Sequence, residues 1–168
     1  MPRKKSQLQQ ELQQHRPFVS SAHELTVGLL RTAAVVRREL DSGLEGSGLS
    51  SAQYNVLRIL RGAGADGLPT LEVRTRMIDA APGVTRLVEK LTRAGLMSRE
   101  RTTSDRRQVI CRITPAGRAA LDRLDPRVHA AIESLGAKLS VAEQESAIEL
   151  LDALRREAPN ARRRGPRR

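Results

Sequence analysis

The stretch "RERTTSDRRQVICRIT", Arg99 to Thr114, decides how the chain is read. Its second half alternates. Val109, Cys111 and Ile113 fall on one side of an extended chain and Ile110 and Arg112 on the other, which is the period-two pattern of a strand. A second strand-like piece spans about 96–102, and the turn between the two carries Ser104, Asp105, Arg106 and Arg107. The expected local structure is a hairpin with adjacent arginines at its tip. In a chain of net charge +11, such a tip calls for an acidic partner or an external anion.

Downstream of the hairpin, Thr114 followed by Pro115 reads as N-cap and first residue of a helix. That helix carries Ala119, Leu121, Leu124, Val128, Ile132 and Leu135, with Pro126 as a kink candidate. Ser140 and Glu143 form a capping box that opens a last helix with Val141, Ile148, Leu151 and Leu154. Upstream, a helix from about Ala80 or Pro82 ends at Gly95 and turns Val84, Leu87, Val88 and Leu91 inward; Thr85, Arg86, Glu89, Lys90 and Arg93 are left outside. A short helix over about 70–78 precedes it. Before the loop "GAGADGLP", Ser50 and Gln53 make another capping box, with Leu49 placed to staple onto Tyr54, and this helix ends at Gly62. Gly43, Gly46 and Gly48 separate it from a long first helix over about 17–40, striped by Ala22, Leu25, Leu29, Ala33, Val36 and Leu40. The predicted order is four helices, a hairpin and two helices.

Composition agrees with a mainly α chain. Phe18 and Tyr54 are the only aromatics, so a core in these 168 residues must be aliphatic. Charge is unevenly placed: residues 1–16 carry +3, residues 159–168 carry +5, and residues 58–112 hold 12 basic and 6 acidic side chains. The centre is basic and its flanks, 17–57 and 113–158, sum to −3. The two charged ends read either as solvated arms or as loose contacts to a polyanion. One cysteine excludes an intrachain disulfide. No apolar run reaches the length of a membrane span and the N-terminus lacks the apolar centre of a secretory signal, so a soluble cytoplasmic protein is expected, with no membrane partner.

Three helices followed by a two-stranded hairpin is the layout of a winged helix-turn-helix. The third helix of the trio suits the DNA major groove, and an arginine tip suits the negative potential of a neighbouring minor groove. The blander reading of the tip is an exposed turn in which Asp105 pairs with an arginine.

From about Leu25 to Leu154 the chain resembles the MarR family of transcription regulators. The match is carried by "SDRRQVICRITPAGRAAL", with its Asp-x-Arg turn, apolar strand and Thr-x-x-Gly helix start, and by "GVTRLVEKLTRAGLMSRER", similar to the family's recognition helix and first wing strand. "LSSAQYNVLRIL" and "LSVAEQESAIELLDAL" fit the second and last helices. The resemblance implies a fold that is mainly α with a small β-hairpin wing, a winged helix-turn-helix flanked by N- and C-terminal dimerisation helices. The Gln-rich, polar residues 1–16 read as a flexible basic arm in which "SQLQQELQQ" could extend a helix, and 17–158 as a single domain, with the winged helix at about 50–114 and dimerisation helices at 17–41 and 114–158. An Arg-rich disordered tail, 159–168, follows.

The resemblance further implies a homodimer on a pseudo-palindromic site of double-stranded DNA near a promoter, most often a repressor that releases DNA when a small lipophilic or phenolic effector binds or when a cysteine is oxidised. Carried over by residue, Thr85 and Arg86 match the exposed pair of the recognition helix, and Lys90 suits a phosphate one turn later. In the wing, Arg107 matches the position that enters the minor groove, Asp105 orients it, and Arg106 meets a phosphate. Two departures stand out. Serines common near the start of the recognition helix are replaced by Ala80, Ala81, Pro82 and Gly83, and a small residue is replaced by Arg74, which must snorkel outward or alter the helix crossing.

An effector would prefer the meeting place of the second helix, the helix after the wing and the dimerisation helices, because only there does it bias the spacing of the two readers. Tyr54 is the aromatic candidate for that pocket, or else a core residue. With so few aromatics the pocket would be mostly aliphatic. No metal-ligand spacing links His15, His23 and His129, Cys111 has no neighbour that marks a nucleophile, and no phosphate loop or paired catalytic carboxylates stand out. Neither an enzyme nor a cofactor is expected. The competing reading is a sequence-tolerant architectural protein that uses its basic arms on nucleic acid.

Overall fold

The computed structural model describes residues 6–79, 83–101 and 108–157. The expectations for Ala80–Pro82, for Asp105, Arg106 and Arg107 at the wing tip, and for the tail 159–168 lie outside the described residues. Two compact units divide the chain, 1–131 and 132–168.

In the first unit, the helices start where side chains can cap them. α1 (Gln7–Glu11) is capped by a Ser6/Gln9 box. α2 (Ser21–Gly43) begins at the Ser20 cap, whose Oγ accepts the His23 N–H at 3.1 Å. The predicted start near Pro17 is thus corrected to Ser21: a proline fits a first turn, but Ser20 satisfies a real donor. α3 (Ser51–Gly62) has the predicted Ser50/Gln53 capping box. β1 (Leu68–Pro69) leads into α4 (Thr70–Arg76), and α5 (Val84–Arg93) is followed by β2 (Met97–Arg101), β3 (Val109–Ile113) and α6 (Pro115–Gly136).

The core is aliphatic, as the composition requires. α3 is its centre: Val56, Leu57 and Leu60 are buried with Val73 of α4, Val88 and Leu91 of α5, Met97 and Cys111 of the sheet, and Leu121 and Leu124 of α6. Leu57 and Leu60 are among the largest fully buried side chains.

The sheet has three strands where the sequence suggested a two-stranded hairpin. β2 and β3 pair antiparallel from Met97↔Ile113 to Arg101↔Val109, and β1 adds to the other edge of β3 through Leu68↔Cys111 and Pro69↔Ile110. Two residues are too few to show a period. Their pairing depends on Gly67, at φ +70°, where a Cβ would stand 2.4 Å from the Cys111 carbonyl oxygen.

α6 opens on Thr114, whose Oγ1 accepts the Gly117 N–H at 3.1 Å and donates to the Gly95 carbonyl at 2.7 Å. The helix runs unbroken past Pro126. At the first turn a Cβ on Gly117 would lie 2.1 Å from the Leu96 carbonyl oxygen. The Thr-x-x-Gly start is therefore a close junction between β2 and α6, with the glycine required by contact and not by backbone angle.

In the second unit, α7 (Val141–Glu157) starts at the predicted Ser140/Glu143 box; the Ser140 hydroxyl donates to Glu143 Oε2 at 2.7 Å and the Ser140 N–H at 2.8 Å, and these bonds hold the Glu143 carboxyl below its ordinary pKa. Val141, Ile148, Leu151 and Leu154 are exposed. In the first unit, the α2 stripe is likewise open at Leu25, which is 52% exposed, and at Val36.

Candidate nucleic-acid interface

α5 is built to present one face. Val84, Val88 and Leu91, spaced at three and four residues, are buried and anchor the helix on α3, while Thr85, Arg86, Glu89, Lys90 and Arg93 are exposed or half-exposed on the other side. The outer face holds three cations and one carboxylate. This is the predicted division of the helix, and it places Thr85, Arg86 and Lys90 together on the solvent side. Gly83 precedes the helix at φ +129° and no side chain caps it.

The approach to α5 is tethered twice. Asn55 of α3 accepts the Ile78 N–H at 3.3 Å, and Arg37 of α2 meets Asp79 at 3.0 Å. Both members of the ion pair are well exposed, so it is worth at most about 1 kcal/mol. Arg74 is exposed on α4, so of the two outcomes foreseen for it the outward one is observed. Arg76 is held by Glu72 one turn away at 3.0 Å.

Beside α5 an open cleft of about 550 Å³ separates it from α4 and the sheet, lined among others by Thr70, Leu71, Thr85, Arg99 and Gln108. Arg99 escaped the sequence reading as a site residue. β2 is exposed from Ser98 to Arg101 without alternation, so period gave no signal for Arg99, and only the fold brings it to the same cleft as Thr85. Arg112 is engaged elsewhere, pairing with Glu100 across the strands at 2.9 Å and donating to the Ala65 carbonyl at 3.1 Å, so that it braces the sheet to the loop before β1. Residues 102–107, which join β2 to β3 in sequence and include Asp105, Arg106 and Arg107, lie outside the described residues.

Tyr54 is buried within the core. Its hydroxyl donates to Asp125 Oδ1 of α6 at 2.6 Å, and the other oxygen, Oδ2, accepts from Arg61 at 2.6 Å. Burial, then the bond to Asp125 and its charge, push the Tyr54 hydroxyl up to about 12 against the opposing pull of Arg58. At Asp125, burial pushes the carboxyl up, but the bonds from Tyr54 and Arg61 and the charges of Arg61 and Arg58 outweigh it and hold it below the usual value.

Cys111 is fully buried on the inner face of β3, 3.4 Å from Thr70 Oγ1. A thiol without solvent access is inert. We expect it to resist a disulfide reagent in the native protein and to react stoichiometrically in denaturant; fast labelling of the folded chain would contradict the packing. Among the described residues no group of histidine, cysteine or carboxylate side chains is arranged to hold a metal, and no helix is long and apolar enough to cross a membrane.

These features define a winged helix-turn-helix protein whose exposed reading helix is basic. No family model matches the chain. It is 31% identical to the MarR transcription factor of Planctomyces limnophilus, whose crystal structure it matches over 82% of this chain and 99% of that one with a TM-score of 0.63. Bordetella bronchiseptica BpsR, solved in a study of the regulation of its DNA binding by 6-hydroxynicotinic acid, is 26% identical, with a TM-score of 0.69 over 78% of this chain and 98% of BpsR. The HTH-type transcriptional repressor YetL of Bacillus subtilis is 25% identical over 131 residues, 78% of each chain. The chain belongs to the MarR family of transcription regulators, which are not enzymes.

Proposed function

We propose that this DNA-binding regulator is a cytoplasmic repressor that binds as a homodimer to a pseudo-palindromic operator and releases it when a small lipophilic effector binds. The observation that carries the reading is the outward row Thr85, Arg86 and Lys90 on a helix whose opposite face is locked into the core. A helix held this way can enter a major groove without rearranging its support. Thr85 and Arg86 would read base edges and Lys90 a phosphate, while Arg107, oriented by Asp105, would enter the minor groove and Arg106 meet a phosphate.

The open aliphatic faces of α2 and α7 support self-association through the segments 17–41 and 114–158. The repressor role follows YetL by name, and the effector follows the regulation of BpsR. With Tyr54 engaged by Asp125, an effector pocket would be walled mainly by aliphatic side chains and would hold planar phenolics weakly.

The test is quantitative binding to a footprinted operator in the presence of competitor DNA. Arg107→Ala is expected to weaken operator binding about tenfold, as for loss of one groove-reading arginine, and Arg162→Ala by no more than about twofold. Equal, small losses from both would favour the sequence-tolerant architectural protein instead.

A further inference from the structure

We propose that Tyr54, Arg61 and Asp125 form a polar clamp that fixes α6 to α3 and thereby sets the half-site spacing the regulator accepts, an inference that rests on the dimeric reading above. Tyr54 and Arg61 are seven residues apart on α3, so they lie on one face about 10 Å apart along the axis. Two long side chains thus converge from separate turns on the two oxygens of one carboxylate, each at 2.6 Å. Arg61 also reaches Asp122, one turn earlier on α6, at 3.6 Å, and the Arg58 guanidinium stands 6.0 Å from the centre of the Tyr54 ring. Sliding or rotating α6 against α3 would break one of the paired bonds before the other could follow.

The clamp's place in the fold gives it leverage. Whatever is fixed to α3 is fixed to the reader, because Leu57 and Leu60 share one core with Val88 and Leu91 of α5 and Cys111 of β3. The residue after Asp125 is Pro126, which has no N–H, so the Asp122 carbonyl lacks its helical donor and α6 resists bending least just past the clamp. α6 then continues into the second compact unit, which begins at Ile132. The clamp and Val128, which joins the same core one turn further on, fix this stretch of α6 to α3 and, through the core, to α5.

Stability alone would not call for these residues, since the Arg61 and Asp125 side chains are each 32% exposed and a partly solvated ion pair adds little by itself. What a two-point hydrogen-bonded carboxylate adds is a single geometry. The depressed Asp125 carboxyl and the raised Tyr54 hydroxyl keep the cluster in one protonation state around neutral pH, which makes it a fastener and not a pH switch.

The probe is a twofold operator selected by the full-length wild-type protein from random duplexes, with derivatives in which one or two base pairs are inserted or removed at the centre. Wild type should lose about tenfold or more on a one-base-pair change, because half-site separation is a geometric constraint. Asp125→Asn and the milder Tyr54→Phe, each confirmed folded by circular dichroism, should bind the parent operator within about fivefold of wild type while their penalty for altered spacing falls to about threefold or less. Variants that lose affinity equally at every spacing, with the wild-type penalty intact, would reduce the cluster to a stability element and overturn the clamp. A wild-type protein indifferent to spacing would overturn the dimeric reading itself and remove the clamp with it.

Discussion

Replacing Gly117 by alanine is expected to destabilise the protein by about 3 kcal/mol or more, beyond the usual cost of overpacking because the clash is with backbone. In an exposed helix the same change stabilises by up to about 1 kcal/mol, so the sign is informative. The new Cβ would meet the Leu96 carbonyl oxygen at 2.1 Å and Ile113 Cγ1 at 2.8 Å. The Leu96 carbonyl cannot simply turn away, since it accepts the Thr114 N–H at 3.1 Å and so holds β2 against the start of α6. A fall in Tm of about 6–12 °C follows for a chain of this length. Gly62→Ala, at the end of α3 where the added Cβ meets open space, is the control and should leave Tm unchanged or raise it. Equal behaviour of the two variants would mean that the β2–α6 junction yields without cost.

Arg86→Ala should weaken operator binding by about 1–3 kcal/mol, or roughly five- to 150-fold, and relax specificity at a single base pair. Lys90→Ala, one turn away, should lower affinity for all sequences alike and reduce the slope of log K against log salt by about one. Both side chains are exposed on a helix held from its other face, so neither change should move Tm appreciably. Competition binding across single-base operator variants separates the two roles. If Arg86→Ala also lost affinity uniformly, α5 would touch only the DNA backbone, and the replacement of the family's serines by Ala80, Ala81, Pro82 and Gly83 would extend to a general loss of base readout.

Features legible in advance share one property, which is that their partners are close in sequence. The Ser50/Gln53 and Ser140/Glu143 boxes act over three residues, and both are present as expected. The inward face of α5 follows from spacings of three and four, and the inward face of β3 from alternation, which correctly places Cys111 inside. The winged layout could therefore be read from order and period. Errors fell where a local signal was weak or outcompeted: a proline at 17 suggested an earlier helix than the Ser20 cap allows, and two residues of β1 left no periodic trace.

By itself, then, the amino-acid order determined the succession of helices and wing, the basic centre, and which face of the reading helix meets solvent, because these depend on side-chain period and on caps a few residues away. Only the tertiary structure decided why particular residues are needed. Gly117 is explained by a carbonyl 21 positions earlier, Tyr54 by a carboxylate 71 positions later, and Asp79 by Arg37 on a separate helix 42 positions away. The physical reason is that hydrogen bonds and steric contacts act over a few ångströms of space, and only the closing of the core around α3 brings such distant positions within that range.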